Sequence, residues 1–303
     1  MRPFLKDILC VLLLGCVIVV PCEVWMSSRH HALKTQHAFL EAYPSRVKTL
    51  ILGHSQTAAG VDPALLGDSA YNLSTQGRII HFDALLLQRY IDRMENLQTV
   101  VYPMHYSFSG AMRFFSHNGN RESIVHDHVR YLHLFSCRYP LLSLMSYSEF
   151  LSGNIRLGNA EEVIKKSAWH GGGGGLASNP LGYAPLEGHA DWRNDYDLIQ
   201  TRQEEFADDL TTIAHICADR GIRFVVITCP FTDEALDKIT PERLQNLQQV
   251  IDRVQSRYPE VEWFNYLADE QFRHDTALFY DWSHLNSAGA EVFTKRVKED
   301  LAL

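Results

Sequence analysis

Directly after Gly221 the chain reads IRFVVITCP, and the four residues Phe224 to Ile227 are apolar without interruption. A half-exposed strand would place a polar residue at every second position, so a strand made from this run must be covered on both faces. Helices then have to lie above and below it, which restricts the chain to a layered α/β architecture. The flanking sequence fits. Short β-type runs at 47–52, 70–73, 99–102, 223–228 and 261–264 are interspersed with helical patterns at 79–94, 196–220, 241–258 and 288–301. Gly221 closes the long helix before the buried strand, as glycine commonly does at a helix C-terminus. This alternation predicts a mostly parallel sheet with helices on both sides.

With 303 residues, 46% of them hydrophobic, and a formal net charge of -8, the chain can bury a full core and carries no basic surface of the kind that binds nucleic acid. Its start is of another kind. Arg2 and Lys6 precede an uncharged stretch from Ile8 to Val20, which resumes after Pro21 and Cys22 and is extended by Trp25 and Met26. No small-x-small cleavage site follows, so residues 1–26 are expected to form an uncleaved signal anchor, a transmembrane helix with its basic end in the cytoplasm. LLGC, ending at Cys16, has the form of a lipoprotein cleavage box, but apolar residues continue beyond the cysteine. A helical stalk over 27–46 and a single domain over 47–303 are expected outside the membrane, in the periplasm or at the cell surface. An insertion or lid interrupts that domain over about 107–194, where aromatic, histidine-rich and glycine-rich sequence replaces the alternation.

Six cysteines are present, and only Cys137, Cys217 and Cys229 lie beyond the anchor; none has CxxC spacing, so neither a disulfide framework nor a zinc site is indicated. The five glycines at 171–175 lack the lysine and hydroxyl residue that a phosphate-cradling loop requires after them. His126, Asp127, His128 and His133 crowd together but do not have the spacing of a helical metal site. No metal or other cofactor is expected.

Ligands of parallel sheets bind beyond the carboxyl ends of the strands. LILGHSQTAAGVDP, Leu50 to Pro63, delivers Gly53, His54 and Ser55 to such a place. A serine hydroxyl reacts only when a base takes its proton and N–H groups receive the developing oxyanion. Gly53 permits the tight turn, and a helix starting after Ser55 would aim free N–H groups at the same spot. Near the C-terminus, LFYDWSHLNSAGAEVF supplies the base: Asp281 and His284 stand three apart, ahead of a helix that Asn286 or Ser287 would cap.

Together with YNLSTQG at 71–77, these two blocks resemble the SGNH, or GDSL-like, hydrolase superfamily. Within it they are most similar to the membrane-anchored, extracytoplasmic subgroup of DltD-like and alginate O-acetylation-type proteins. The resemblance covers roughly 47–77 and 223–301 and leaves the middle unmatched. It implies a three-layer α/β/α sandwich of flavodoxin-like topology, with Ser55 as nucleophile, His284 as base and Asp281 as its orienting acid. It also implies an oxyanion hole built from the backbone N–H groups of Ser55 and Gly77. The implied activity is serine-dependent hydrolysis or O-acyl transfer on acyl groups of cell-envelope or exopolysaccharide polymers, with a membrane-bound O-acyltransferase as a possible partner. One departure is plain. The superfamily draws a further oxyanion donor from an asparagine after the third strand, whereas VVYPMHYSFSG at 100–110 has none and offers His105 or Tyr106 instead. His54, His105 and Asn72 are the candidate substrate-binding residues. The missing asparagine favours an alternative: a catalytically weak domain that binds polysaccharide or scaffolds a membrane O-acyltransferase.

Overall fold

The computed structural model describes residues 2–27, 31–108, 120–138, 140–147, 182–183 and 196–303. Its first half runs α1 (Arg2–Ser27), α2 (Ala32–Ala42), β1 (Thr49–Ile51), α3 (Ser55–Gly60), α4 (Pro63–Leu66), β2 (Ala70–Asn72), α5 (Ile80–Tyr90) and β3 (Thr99–Pro103). Then come α6 (Asn120–Tyr131), α7 (Pro140–Met145), α8 (Tyr196–Ala218), β4 (Arg223–Thr228), α9 (Asp233–Leu236) and α10 (Pro241–Gln255). The chain ends with β5 (Glu262–Asn265), α11 (Glu270–Arg273), β6 (Phe279–Asp281), β7 (His284–Leu285) and α12 (Ser287–Leu301).

Five strands form one parallel sheet in the order β2-β1-β3-β4-β5. This is a doubly wound order in which the direction of winding reverses between β1 and β3, opening a crevice at their carboxyl ends. Side chains of a strand alternate between faces. Leu50, Val100, Phe224 and Val226 therefore join one core with Phe82, Leu87, Phe206, Leu210 and Val250 of α5, α8 and α10. Ile51, Val101, Val225 and Ile227 join the other with Phe272, Phe293 and Val297 of α11 and α12. The uninterrupted apolar run of β4 is thus shared between two cores, and the domain is a three-layer α/β/α sandwich.

Within α1 the 22 residues Phe4–Trp25 are long and apolar enough to cross a membrane. The segment after it, expected as a stalk, folds as α2 and buries Leu33, Gln36 and Leu40 against the domain. Gln36 donates from its amide to the Leu73 carbonyl at 3.1 Å, just beyond β2. The helical pattern at 79–94 is cut at Tyr90 and continues as a 3₁₀ turn. α6 and α7 stand in the stretch where the sequence pattern breaks down, and most of 107–194, the glycine run at 171–175 included, lies outside the described residues.

α12 packs tightly where it starts. Asn286 caps it by accepting from the N–H groups of Ala288 and Gly289, both at 3.0 Å, and a Cβ at Gly289 would stand 2.0 Å from the Leu278 carbonyl oxygen. Replacing glycine inside a helix by alanine ordinarily gains about 1 kcal/mol. Here the clash reverses the sign: Gly289→Ala is expected to lower stability by about 1–3 kcal/mol in chemical denaturation.

Candidate active site

Ser55 is the first residue of α3, two positions past Gly53, whose φ of +109° an L side chain rarely adopts. A Cβ at Gly53 would lie 2.3 Å from the Pro103 ring, so β1 and β3 end in contact. Beneath the turn, the Thr57 hydroxyl is 3.1 Å from the Leu52 carbonyl and 2.8 Å from the Ser74 hydroxyl, which is itself 2.9 Å from the same carbonyl. This buried network holds the turn against the segment after β2. That segment continues the pairing, since Leu73 donates to Ile51 at 2.8 Å and Thr75 to Gly53 at 3.1 Å.

Asp281 and His284 face each other across the two-stranded antiparallel pair β6–β7. Asp281 Oδ1 accepts the backbone N–H groups of Ser283 at 2.8 Å and His284 at 2.9 Å. Its Oδ2 lies 2.9 Å from Nδ1 of the His284 ring. A carboxylate only accepts, so the ring proton is on Nδ1 and Nε2 is left as an acceptor. That Nε2 is 2.8 Å from Ser55 Oγ. Three further hydrogen bonds fix this hairpin in place: Gln56 of α3 donates to the Ser283 carbonyl at 3.3 Å, and Asn286 donates to the carbonyls of Ala277 and Phe279 at 2.7 and 3.1 Å. Burial alone would raise the Asp281 carboxyl, but the bonds from the His284 ring and the two backbone N–H groups outweigh it and hold the group below the usual carboxylate range.

The structure thus brings Ser55, His284 and Asp281 into one hydrogen-bonded line. Gly77 lies in the turn after Thr75 with φ +72°. Asn72, expected to bind substrate, is instead committed to the protein itself. Its two amide hydrogens go to the carbonyls of Thr57 and Val61 at 3.0 and 2.9 Å, and its oxygen accepts the Ser74 N–H, so it braces α3 and has no donor left for a substrate. His54 and His105 lie edge to face with ring centroids 6.1 Å apart. Tyr106, the other candidate after β3, is buried against Phe231 at 5.6 Å with the Arg243 guanidinium 5.7 Å from its ring.

Other neighbours carried no motif that could have revealed them. Trp282 stacks on Phe231 at 5.8 Å. Tyr183 donates to Glu234 at 2.5 Å, and the charge of Asp281 is among the influences raising its phenol to about 12, after burial and the Glu234 bond. The crowded histidines 126, 128 and 133 do not share a ligand geometry: His126 bonds the Ser146 hydroxyl, and His128 accepts from Arg78 Nε at 3.0 Å. Among the described residues no group of three or more metal-ligating side chains could hold an ion.

A doubly wound parallel sheet that presents serine, histidine and carboxylate in one line at its carboxyl edge defines an α/β protein with the geometry used for serine acyl chemistry. No protein-family model and no curated protein matches the chain. Among solved structures it is similar to a protein of Streptococcus pneumonia described provisionally as a platelet activating factor, with 12% sequence identity, a TM-score of 0.45, and coverage of 94% of this chain and 99% of that one.

The buried ring of His54 sets a pH limit. Burial, with the nearby His284 ring second, lowers His54 from the ordinary imidazole value of 6.5 to about 3. An unfolded chain binds that proton below pH 6.5 while the folded one refuses it until about pH 3, so stability falls as pH drops between those values. Between pH 7.5 and pH 5 the loss from this residue amounts to about 2 kcal/mol. Denaturation midpoints at the two pH values are expected to show that loss in the wild type and a smaller one in His54→Gln.

Proposed function

We propose that the chain is a serine-dependent acyl-ester hydrolase or O-acyltransferase. The single observation that carries this is the continuous line from Asp281 through His284 to Ser55, closed at 2.9 and 2.8 Å. Ser55 Oγ attacks the ester carbonyl carbon while His284 Nε2 takes the hydroxyl proton, and the Asp281 carboxylate steadies the imidazolium that results. Collapse of the tetrahedral intermediate breaks the bond to the leaving alkoxide, which takes the proton from His284, leaving the acyl group on Ser55. Water or an acceptor hydroxyl, deprotonated by His284, then attacks the acyl-serine, and collapse of that second intermediate breaks the bond to Ser55 Oγ, which takes the proton back from His284. Backbone N–H groups of Ser55 and Gly77 are assigned to the oxyanion. Hydrolysis and transfer use the same residues and differ only in which hydroxyl attacks second.

The apolar α1 supports attachment to a membrane, and Arg2 and Lys6 at its start support a domain outside the cytoplasm. The sequence resemblance to the membrane-anchored SGNH subgroup supports an acylated envelope polymer or exopolysaccharide as substrate and a membrane-bound O-acyltransferase as partner. A second reading, a weakly active polysaccharide-binding or scaffolding domain, is favoured by the lack of an asparagine at 100–110.

Reaction of the full-length protein with a fluorophosphonate probe separates the two. Labelling of the wild type that disappears in Ser55→Ala is expected from the enzyme, whereas equal absence of labelling in both would leave the scaffold. In Asp281→Asn, with the carboxylate gone and the imidazole tautomer no longer held, turnover of an acetyl ester is expected to fall by about 10³–10⁴-fold.

A further inference from the structure

We propose that His54 and His105 form a pair of Nε2–H donors that receive the acyl oxygen as it becomes an oxyanion, replacing the asparagine amide this chain lacks. The inference rests on the acyl-transfer function proposed above and names groups that function leaves unassigned.

Position comes first. The crevice of this strand order lies between the ends of β1 and β3, and these two residues belong to the segments that leave them: His54 directly precedes Ser55, and His105 stands two residues after Pro103. The contact of Gly53 with the Pro103 ring leaves no room for a Cβ between the two strand ends. The imidazoles are consequently neighbours, edge to face at 6.1 Å.

The tautomers follow from the hydrogen bonds. His105 Nδ1 accepts the backbone N–H of Ser107 at 3.1 Å, with the Ser107 hydroxyl 2.7 Å away, so its proton is on Nε2. His54 Nδ1 accepts the Gln56 N–H at 3.5 Å, and its proton is likewise on Nε2. Each ring is therefore tethered through one nitrogen and offers an N–H from the other.

The His54 N–H is also without a partner. The residue is 5% exposed and its Nε2 is a buried polar atom with no hydrogen bond. Leaving such a group unmade costs about 1–3 kcal/mol, and buried donors in native proteins are nearly always satisfied. An acceptor supplied by the substrate accounts for it. Beside a serine bonded to its base, that acceptor is the carbonyl oxygen under attack.

Both rings are kept uncharged by burial, with the His284 ring acting in the same direction. This suits the step. A charged imidazolium here would oppose the positive charge that His284 must acquire, whereas a neutral N–H donates to the oxyanion without that penalty.

The test is the rate at which full-length protein in detergent micelles is labelled by a fluorophosphonate, whose phosphoryl oxygen occupies the oxyanion position. His105→Phe and His54→Phe fill the space of the ring without a donor; His105→Gln and His54→Gln restore an N–H at a similar reach. Each Phe variant is expected to be labelled about 10²-fold more slowly than wild type, and each Gln variant to recover to within about tenfold. Phe variants that label at the wild-type rate, or Gln variants as slow as their Phe counterparts, would overturn the donor assignment while leaving the serine chemistry intact. A wild type that does not label at Ser55 would overturn both. Denaturation midpoints of the Gln variants close to wild type separate a lost donor from a lost fold.

Discussion

The contact between Gly53 and the Pro103 ring is the constraint on which the site depends. Only a residue without a Cβ fits there, and only one that accepts a positive φ can turn the chain immediately afterwards. The ends of β1 and β3 consequently converge. Two groups proposed to act on a substrate follow from that approach, since Ser55 begins α3 two residues later and His54 meets the ring of His105, while Gln56 ties α3 to the Ser283 carbonyl next to His284. A wider separation of the two strand ends would part the His54 ring from that of His105 even with every motif intact.

Behind the turn lies a second, more costly device. Arg78, 1% exposed, is paired with the fully buried Asp83 at 3.1 Å and also donates to His128 at 3.0 Å and to Gln36 at 3.3 Å. Burial pushes the Asp83 carboxyl up to about 6 against the opposing pull of Arg78, so part of the pair's attraction is spent on desolvation. Such pairs contribute little net stability but penalise misplacement severely, because either partner alone would be a buried uncompensated charge. Arg78 adjoins Gly77, and Gln36 belongs to α2. One charge cluster therefore fixes three things together: the turn after β2, the start of α5 and the helix that follows the apolar N-terminal span.

The strands and the long helices were legible in the sequence because their signals are local: unbroken apolar runs, 3.6-residue periodicity, and Gly221 as a stop. The serine and the Asp281–His284 pair were legible as spacing next to a predicted strand end and a predicted helix start. What failed to show was whatever depends on tertiary partners. The residues of α2 have the look of a polar stalk, since a single buried glutamine and two leucines do not announce a docking face. β6 and β7 are too short for any periodicity, although the turn between them aligns the acid with the base. Asn72 resembled a free donor because nothing in its neighbourhood reveals that Thr57 and Val61 claim both its hydrogens. His54 occupied a variable position within a motif, and only its ring contacts and its unpaired nitrogen distinguish it from a space-filler.

The charge distribution of the site explains why three histidines can share it. One of them, His284, touches a carboxylate, and that carboxylate is held ionised by its bonds to the ring and to two backbone N–H groups. A carboxylate therefore stands against the ring of His284 and against neither of the other two. The other two rings are held by neutral donors, the backbone N–H groups of Gln56 and Ser107, so nothing offsets the cost of ionising them in a buried place. In the proposed acyl transfer, charge separates in a single direction, with the proton moving toward Asp281 and the electron pair toward the oxygen beside His54 and His105. A carboxylate placed against either neutral ring would oppose that separation, stabilising a competing imidazolium at the position where the oxyanion forms and weakening the base on the opposite side of the serine.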